Sequence, residues 1–258
     1  MINKNLNKYA NKLVNAFLNN KTISPIPSRY TKKLSEAQKL RKLCESKINK
    51  PIAGYKAAGT GIPVLKKLRE KEPFYATVYK HNVLKNKKSL KINKFTMGIE
   101  LEVCYYIKKN FFNLKQKPNR NNIKKFILYI APCIEIVGYR QKKRGIKSLG
   151  DLCSDFGANI KFIVGPKKKF KNHNVKNLKT NILNIKKNYS IDGNTNTVYI
   201  DPMNSLCFVL NKLQNDKIKH NADFYVFTGS SVGIVPILNK GLYKGTIDKL
   251  GSVFAKIN

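Results

Sequence analysis

Apolar residues recur at Leu6, Ala10, Leu13, Val14, Phe17 and Leu18, a spacing that gathers them on one side of a helix and predicts one over Asn5–Asn19. Asn19-Asn20 and the breaker-rich Ser24-Pro25-Ile26-Pro27 end it. A second helix is expected from Ser35 as N-cap through Glu36, Ala37, Leu40 and Leu43 towards Ile48. Past Pro51 the pattern shortens to runs rich in Val, Ile, Tyr and Phe between turn residues: Tyr75–Tyr79, Ile99–Ile107, Phe126–Val137, Ile160–Val164, Thr197–Ile200, Phe224–Thr228 and Ser252–Ile257. These read as strands. Further helices are expected over Ser148–Phe156 and Ser205–Leu213, the latter with Leu206, Val209, Leu210 and Leu213 on one face. The Lys/Asn-rich stretch from Lys167 to Asn188 reads as a mobile, solvated excursion. The fold class is therefore α+β, with a helical part over residues 1–50 and a mostly β domain over residues 51–258.

Composition adds a charge anomaly to this pattern. In 258 residues, 51 Lys and Arg face 14 Asp and Glu, a net charge of +37, while 42% hydrophobic residues supply enough apolar surface for a core and exclude wholesale disorder. Such a surface attracts anions from carboxylate metabolites to nucleic acid. The basic residues are dispersed, with clusters at Lys85–Lys94, Arg140–Arg144, Lys167–Lys171 and Lys176–Lys179, and Lys, Asn and Ile are abundant throughout. That distribution favours compositional drift over a dedicated nucleic-acid surface. No apolar run approaches the roughly 18 residues of a membrane-spanning helix. Cys44, Cys104, Cys133, Cys153 and Cys207 are widely spaced and odd in number, as expected of thiols in a reducing, cytoplasmic compartment.

With acids so scarce, their placement is informative. Strand periodicity in Ile99-Glu100-Leu101-Glu102-Val103 puts the three apolar residues on one face and both glutamates on the other. Two like charges so placed repel unless a cation lies between them or one takes up a proton. Glu135 sits inside the apolar run Ile130–Val137 and needs a partner or a metal. Three carboxylates without a neighbouring histidine suit a hard cation such as Mg²⁺ or Mn²⁺. A solvated strand face paired with lysines satisfies the same spacing.

Several segments, in order along nearly the whole chain, resemble the 2-keto-4-pentenoate hydratase family within the fumarylacetoacetate hydrolase-like group. Ala53-Gly54-Tyr55-Lys56-Ala57-Ala58-Gly59-Thr60 is similar to its Gly-x-Lys-x-Gly-Leu-Thr, Ile99–Val103 to its Glu-x-Glu strand, and Ala131–Arg140 to its Pro-(Ala)-Leu-Glu-Ile-x-x-Ser-Arg segment. Asp201-Pro202-Met203-Asn204, Phe227-Thr228-Gly229-Ser230 and Leu250-Gly251-Ser252-Val253 complete the series. The resemblance implies a mixed β-rich roll, a divalent ion on Glu100, Glu102 and Glu135, and Lys56 as a catalytic residue with its pKa lowered by desolvation near the metal. It also implies substrate contacts at Arg140, Thr228, Gly229 and Ser230, and a homo-oligomer built on pentamers.

The implied reaction is hydration of 2-hydroxypenta-2,4-dienoate (2-keto-4-pentenoate) to 4-hydroxy-2-oxopentanoate. Decarboxylation of a 2-oxo diacid of the 4-oxalocrotonate type is a close sibling. The chain departs from the pattern at Ala58, where the family has glycine, at Tyr139, where it has serine, and at Phe156, where it has asparagine. The family acid downstream of the lysine motif falls on His81, whose ring could carry a proton near neutrality. A degenerate, non-catalytic member that binds polyanions is the competing reading.

Overall fold

The computed structural model describes residues 4–142 and 146–258. Of the basic cluster Arg140–Arg144, Lys143 and Arg144 lie outside them. Two helices, α1 (Lys4–Leu18) and α2 (Leu34–Lys47), precede the first strand. The periodicity of α1 buries Ala10, Leu13, Ala16 and Phe17. They pack with Leu40 and Cys44 of α2 and with Tyr79 and Phe156 of the β region. The second helix starts one residue before Ser35, with Lys33 at its cap, so Ser35 lies in the first turn and no side chain caps that end.

Among the described residues thirteen strands follow: β1 (Ile52–Ala58), β2 (Phe74–Tyr79), β3 (Val83–Lys85), β4 (Ser89–Leu90), β5 (Thr96–Ile107), β6 (Ile127–Gly138), β7 (Asn159–Val164), β8 (Lys168–Lys169), β9 (Lys179–Asn184), β10 (Tyr189–Asn194), β11 (Phe224–Ser230), β12 (Gly241–Ile247) and β13 (Gly251–Ile257). Helices α3 (Ile62–Lys67), α4 (Leu149–Ser154) and α5 (Pro202–Asn215) interrupt them. The large sheet has the order β2-β1-β11-β5-β6-β7-β3, with β8 on β6. Its two end strands are joined through the short turn Lys80–Asn82, so the sheet must curl until its edges meet. Side-chain contacts agree: Lys56 on β1 and Glu135 on β6, with two strands between them, form an ion pair at 2.6 Å.

The inner face of this roll carries Val78, Cys104, Ala131, Cys133, Phe162, Val164 and Phe227. The outer face, including Ile99, Leu101, Val103, Ile130 and Ile134, packs on α5 and on the second sheet, β10-β9-β12-β13-β4. Full burial of each such aliphatic side chain contributes roughly 1.5–3 kcal/mol. This α+β arrangement of a small helical part and curled mixed sheets matches the expected fold class.

Two expectations fail. Thr197–Ile200 is no strand: Asn194 caps a 3₁₀ turn at Thr195–Thr197, Tyr199 and Ile200 are left-handed (φ 41° and 79°), and Asp201 then N-caps α5. Lys167–Asn188 is no solvated excursion, because β8 joins the roll and β9 runs inside the second sheet with Thr180, Ile182 and Asn184 buried. There Lys179, Asn181 and Leu183 take the outward positions of an ordinary alternation. Among the described residues all five cysteines are free thiols, and no helix is long and apolar enough to cross a membrane.

Candidate functional site

Glu100 and Glu135 are direct cross-strand partners in the β5–β6 ladder, and Glu102 lies two residues further along the same face. Alternation forces this: Ile99, Leu101 and Val103 are buried against the second sheet and α5, so the glutamates turn into the roll. Glu102 and Glu135 are fully buried and Glu100 is partly exposed. One oxygen from each can be chosen so that all three lie within 4.8 Å of one another.

Lys56 reaches this group from the middle of β1. Its Nζ donates to both oxygens of Glu135 at 2.6 and 2.7 Å and to the Gly157 carbonyl at 3.1 Å. Three carboxylates against one ammonium leave a surplus of negative charge in a buried place. Burial lowers the affinity of Lys56 for its proton, yet Glu135, Glu100 and Glu102 together outweigh it and hold the ammonium above the ordinary lysine range. Without a cation on the carboxylates the shift of Lys56 is thus upward, where a lowering was expected beside a bound metal. Burial likewise pushes Glu100 up to about 7 against the pull of Lys56, with Glu102 adding to the rise. Glu135 is pushed up by burial in the same way.

Backbone geometry around the cage is unusual at two points. Phe156, Gly157 and Ala158 are left-handed in succession (φ 53°, 70° and 57°), which turns the Gly157 carbonyl towards Lys56. Arg140 stabilises this turn from behind: its guanidinium donates to Asp155 at 2.7 Å and to the Asn159 carbonyl at 2.7 Å, over the ring of Phe17. At Gly229 (φ 100°) a Cβ would lie 2.0 Å from the Thr60 hydroxyl. Glycine there lets its N–H donate to Glu102 Oε2 at 2.9 Å. The other oxygen of Glu102 is buried and finds no donor among the described residues.

The residues proposed from sequence thus separate. Glu100, Glu102, Glu135, Lys56 and Gly229 converge. Thr228 lies beside them, but its hydroxyl donates to the Val103 carbonyl, and Ser230 donates to the Gly233 carbonyl. The Arg140 side chain is fully buried in its pair with Asp155. The His81 ring lies against Phe17 and Tyr79 on the turn between β2 and β3. Burial, with Lys161 and Lys50, depresses its proton affinity. Among the described contacts none joins that ring to the cage. The Gly157 carbonyl had no signal in the sequence beyond a glycine after Asp155-Phe156. A cavity of about 300 Å³ bordered by Arg120, Phe170, His173 and Met203 shares no lining residue with the cage.

An unpartnered buried carboxylate oxygen among three converging acids fits a cation, and an all-oxygen donor set fits a hard one. No protein-family description matches the chain, and no curated protein matches it in sequence. Solved structures do match in shape. The 4-oxalocrotonate decarboxylase from Pseudomonas putida G7, complexed with magnesium and adipate, superposes with a TM-score of 0.84 at 17% identity over 98% of this chain and 97% of that one. The same enzyme with calcium and acetate gives 0.84 over 100% and 99%. A protein from Yersinia pestis CO92 described as of the fumarylacetoacetate hydrolase family gives 0.57 at 10% identity over 82% and 95%. The chain has the fold of the fumarylacetoacetate hydrolase-like proteins.

Proposed function

We propose that the protein is a divalent-cation-dependent lyase acting on a 2-oxo acid, with decarboxylation of a 2-oxo diacid as its reaction. The observation that carries this reading is the convergence of Glu100, Glu102 and Glu135 around the donor-less oxygen of Glu102, with Lys56 fixed at their edge. Glu100, Glu102 and Glu135 would hold Mg²⁺ or Mn²⁺, which supplies a Lewis acid for the substrate's 2-oxygen. The chain's own groups do the rest. Gly229 N–H orients Glu102, the Gly157 carbonyl and Glu135 orient Lys56, and the stacked rings of Phe162 and Phe227 (4.2 Å) keep water from the inner side. Loss of carbon dioxide leaves an electron pair that must end as a C–H bond. Lys56 Nζ, held protonated, is placed to give that proton.

Two observations favour decarboxylation over the hydration that the resemblance implied. Hydration requires a base for water, and the His81 ring lies outside the cage against Phe17 and Tyr79. The decarboxylase from Pseudomonas putida also superposes over nearly the whole of both chains. Hydration of a 2-hydroxydienoic acid stays as the second reading because the same three-carboxylate cage would hold the cation that either reaction needs. A pentamer-based homo-oligomer and a cytoplasmic location belong to the same reading. The test is turnover on a panel of 2-oxo diacids and 2-hydroxydienoic acids, before and after chelation, with metal analysis of the purified protein. Carbon dioxide release that stops on chelation supports the reading. Failure to bind any divalent cation, or to turn over any panel member with cation bound, overturns it.

A further inference from the structure

The lysine cluster Lys167–Lys171 has no part in the cage, yet the fold gives it company. On the inner face of the roll, the register that places Glu102 at one end places Tyr106 four residues away at the other, roughly 14 Å along β5. Tyr225 on β11 and Tyr129 on β6 are its cross-strand partners, and Lys169 on β8 is the partner of Tyr129. Three tyrosines and a lysine thus form one rung across four adjacent strands. Ring centroids of Tyr106 lie 4.7 Å from Tyr225 and 6.3 Å from Tyr129. The Lys167 ammonium lies over all three rings, at 4.4, 5.0 and 5.9 Å from the centroids of Tyr106, Tyr225 and Tyr129. Tyr129 is 39% exposed.

We propose that this tyrosine rung is a stacking platform for single-stranded nucleic acid. Charge excludes the other occupants of an aromatic cluster. A quaternary ammonium or methylated lysine would meet Lys167 over the rings and Lys169 beside Tyr129, both of its own sign. An apolar partner would strip water from those ammonium groups without replacing it. An anion that also carries flat aromatic faces satisfies both features, and single strands offer their bases to such rings where a duplex hides them. Adjacent strands are about 4.8 Å apart, so three rings span roughly 10 Å, in keeping with the aromatic pairs of RNA-binding sheets that stack two or three bases. Lys167 is the movable element: a flexible ammonium strap that covers the rings and turns to phosphate when a base takes its place.

The experiment is fluorescence anisotropy with a labelled 12-mer oligo(U) and an abasic strand of the same length, at several salt concentrations. The intact chain is expected to bind oligo(U) roughly tenfold more tightly than the abasic strand. Tyr129→Ala, at an exposed position, should lose most of that difference, and Tyr129→Phe should keep it. Lys169→Ala should weaken both strands alike and flatten the salt dependence. Equal affinity for the two strands, failure to bind either, or an undiminished preference in a folded Tyr129→Ala variant overturns the proposal. The first of these leaves charge alone as the source of binding.

Discussion

The two ends of the rolled sheet are made from the same strands, β11, β5 and β6, and from the same face of each. At one end that face presents Glu100, Glu102 and Glu135, and four to six residues along it presents Tyr106 and Tyr129 beside Tyr225. In a chain of +37 the acidic end is the exception, closed around a single lysine. The tyrosine end is open, with Lys167 over its rings and Lys169 beside Tyr129. The contrast shows that the surrounding charge, more than the backbone, decides what each end can hold. Buried acids concentrate negative charge where a cation or ammonium must answer it, while exposed lysines over rings leave a surface that only an anion can cover.

The largest effect separating the ends is expected from Glu102→Gln. It removes one of three charged ligands, so calorimetry should show loss of divalent-cation binding and turnover should vanish, while oligo(U) affinity stays within twofold. Lys56→Met comes next. Turnover should fall about 10²–10⁴-fold, while cation binding is retained or tightened because the competing ammonium is gone. Without cation this variant strands Glu135 and should unfold more readily by about 3–5 kcal/mol, a loss that added Mg²⁺ restores in thermal melts.

A smaller effect follows from Glu100, whose carboxyl rises from 4.5 to about 7 on folding. Between those values folded Glu100 keeps a proton that the unfolded chain has lost, so its contribution to cation-free stability falls as pH rises, by at most about 1.4 kcal/mol per unit, and levels off above about 7, while Glu135, also raised, adds a fall of the same sign. Saturating Mg²⁺ should remove this slope, which melts at fixed ionic strength would reveal. Smallest is His81→Asn. With its ring packed on Phe17 and Tyr79, outside the cage, turnover is expected to change less than about twofold and stability by less than about 0.5 kcal/mol. A large loss of turnover would instead bring His81 into the reaction.

Legibility of the sequence tracked how local each signal was. The alternation through Ile99–Val103 told which way Glu100 and Glu102 point, because burial of one strand face leaves no choice for the other. The segment around Lys179–Asn184 obeys the same alternation, but its inward positions are Thr180, Ile182 and Asn184, two of them polar, so composition hid a central strand. Gly241–Ile247 was missed for a related reason: glycine at Gly245 interrupts the inward series Tyr243 to Ile247. The direction of the Lys56 shift was beyond reach, since it depends on Glu135 from a strand far away in sequence. So was the role of Arg140, whose partner Asp155 lies beyond a helix. Single residues announce periodicity, whereas a partner across the roll becomes visible only when the sheet closes.

That closure has a kinetic side. Strand β1 pairs in parallel with β11, Gly54 beside Tyr225, so the lysine of the cage and the glycine that holds Glu102 come together from opposite ends of the sequence. Pairings this distant are slow to form, because the intervening chain must be ordered before they return any stabilisation. Helices α1 and α2 and the hairpin-like ladders can form early, but the cage is complete only when β11 slides between β1 and β5. During refolding, helical signal should therefore precede the ability to bind a divalent cation, and the interval between them measures the time needed to thread one strand into the middle of a sheet.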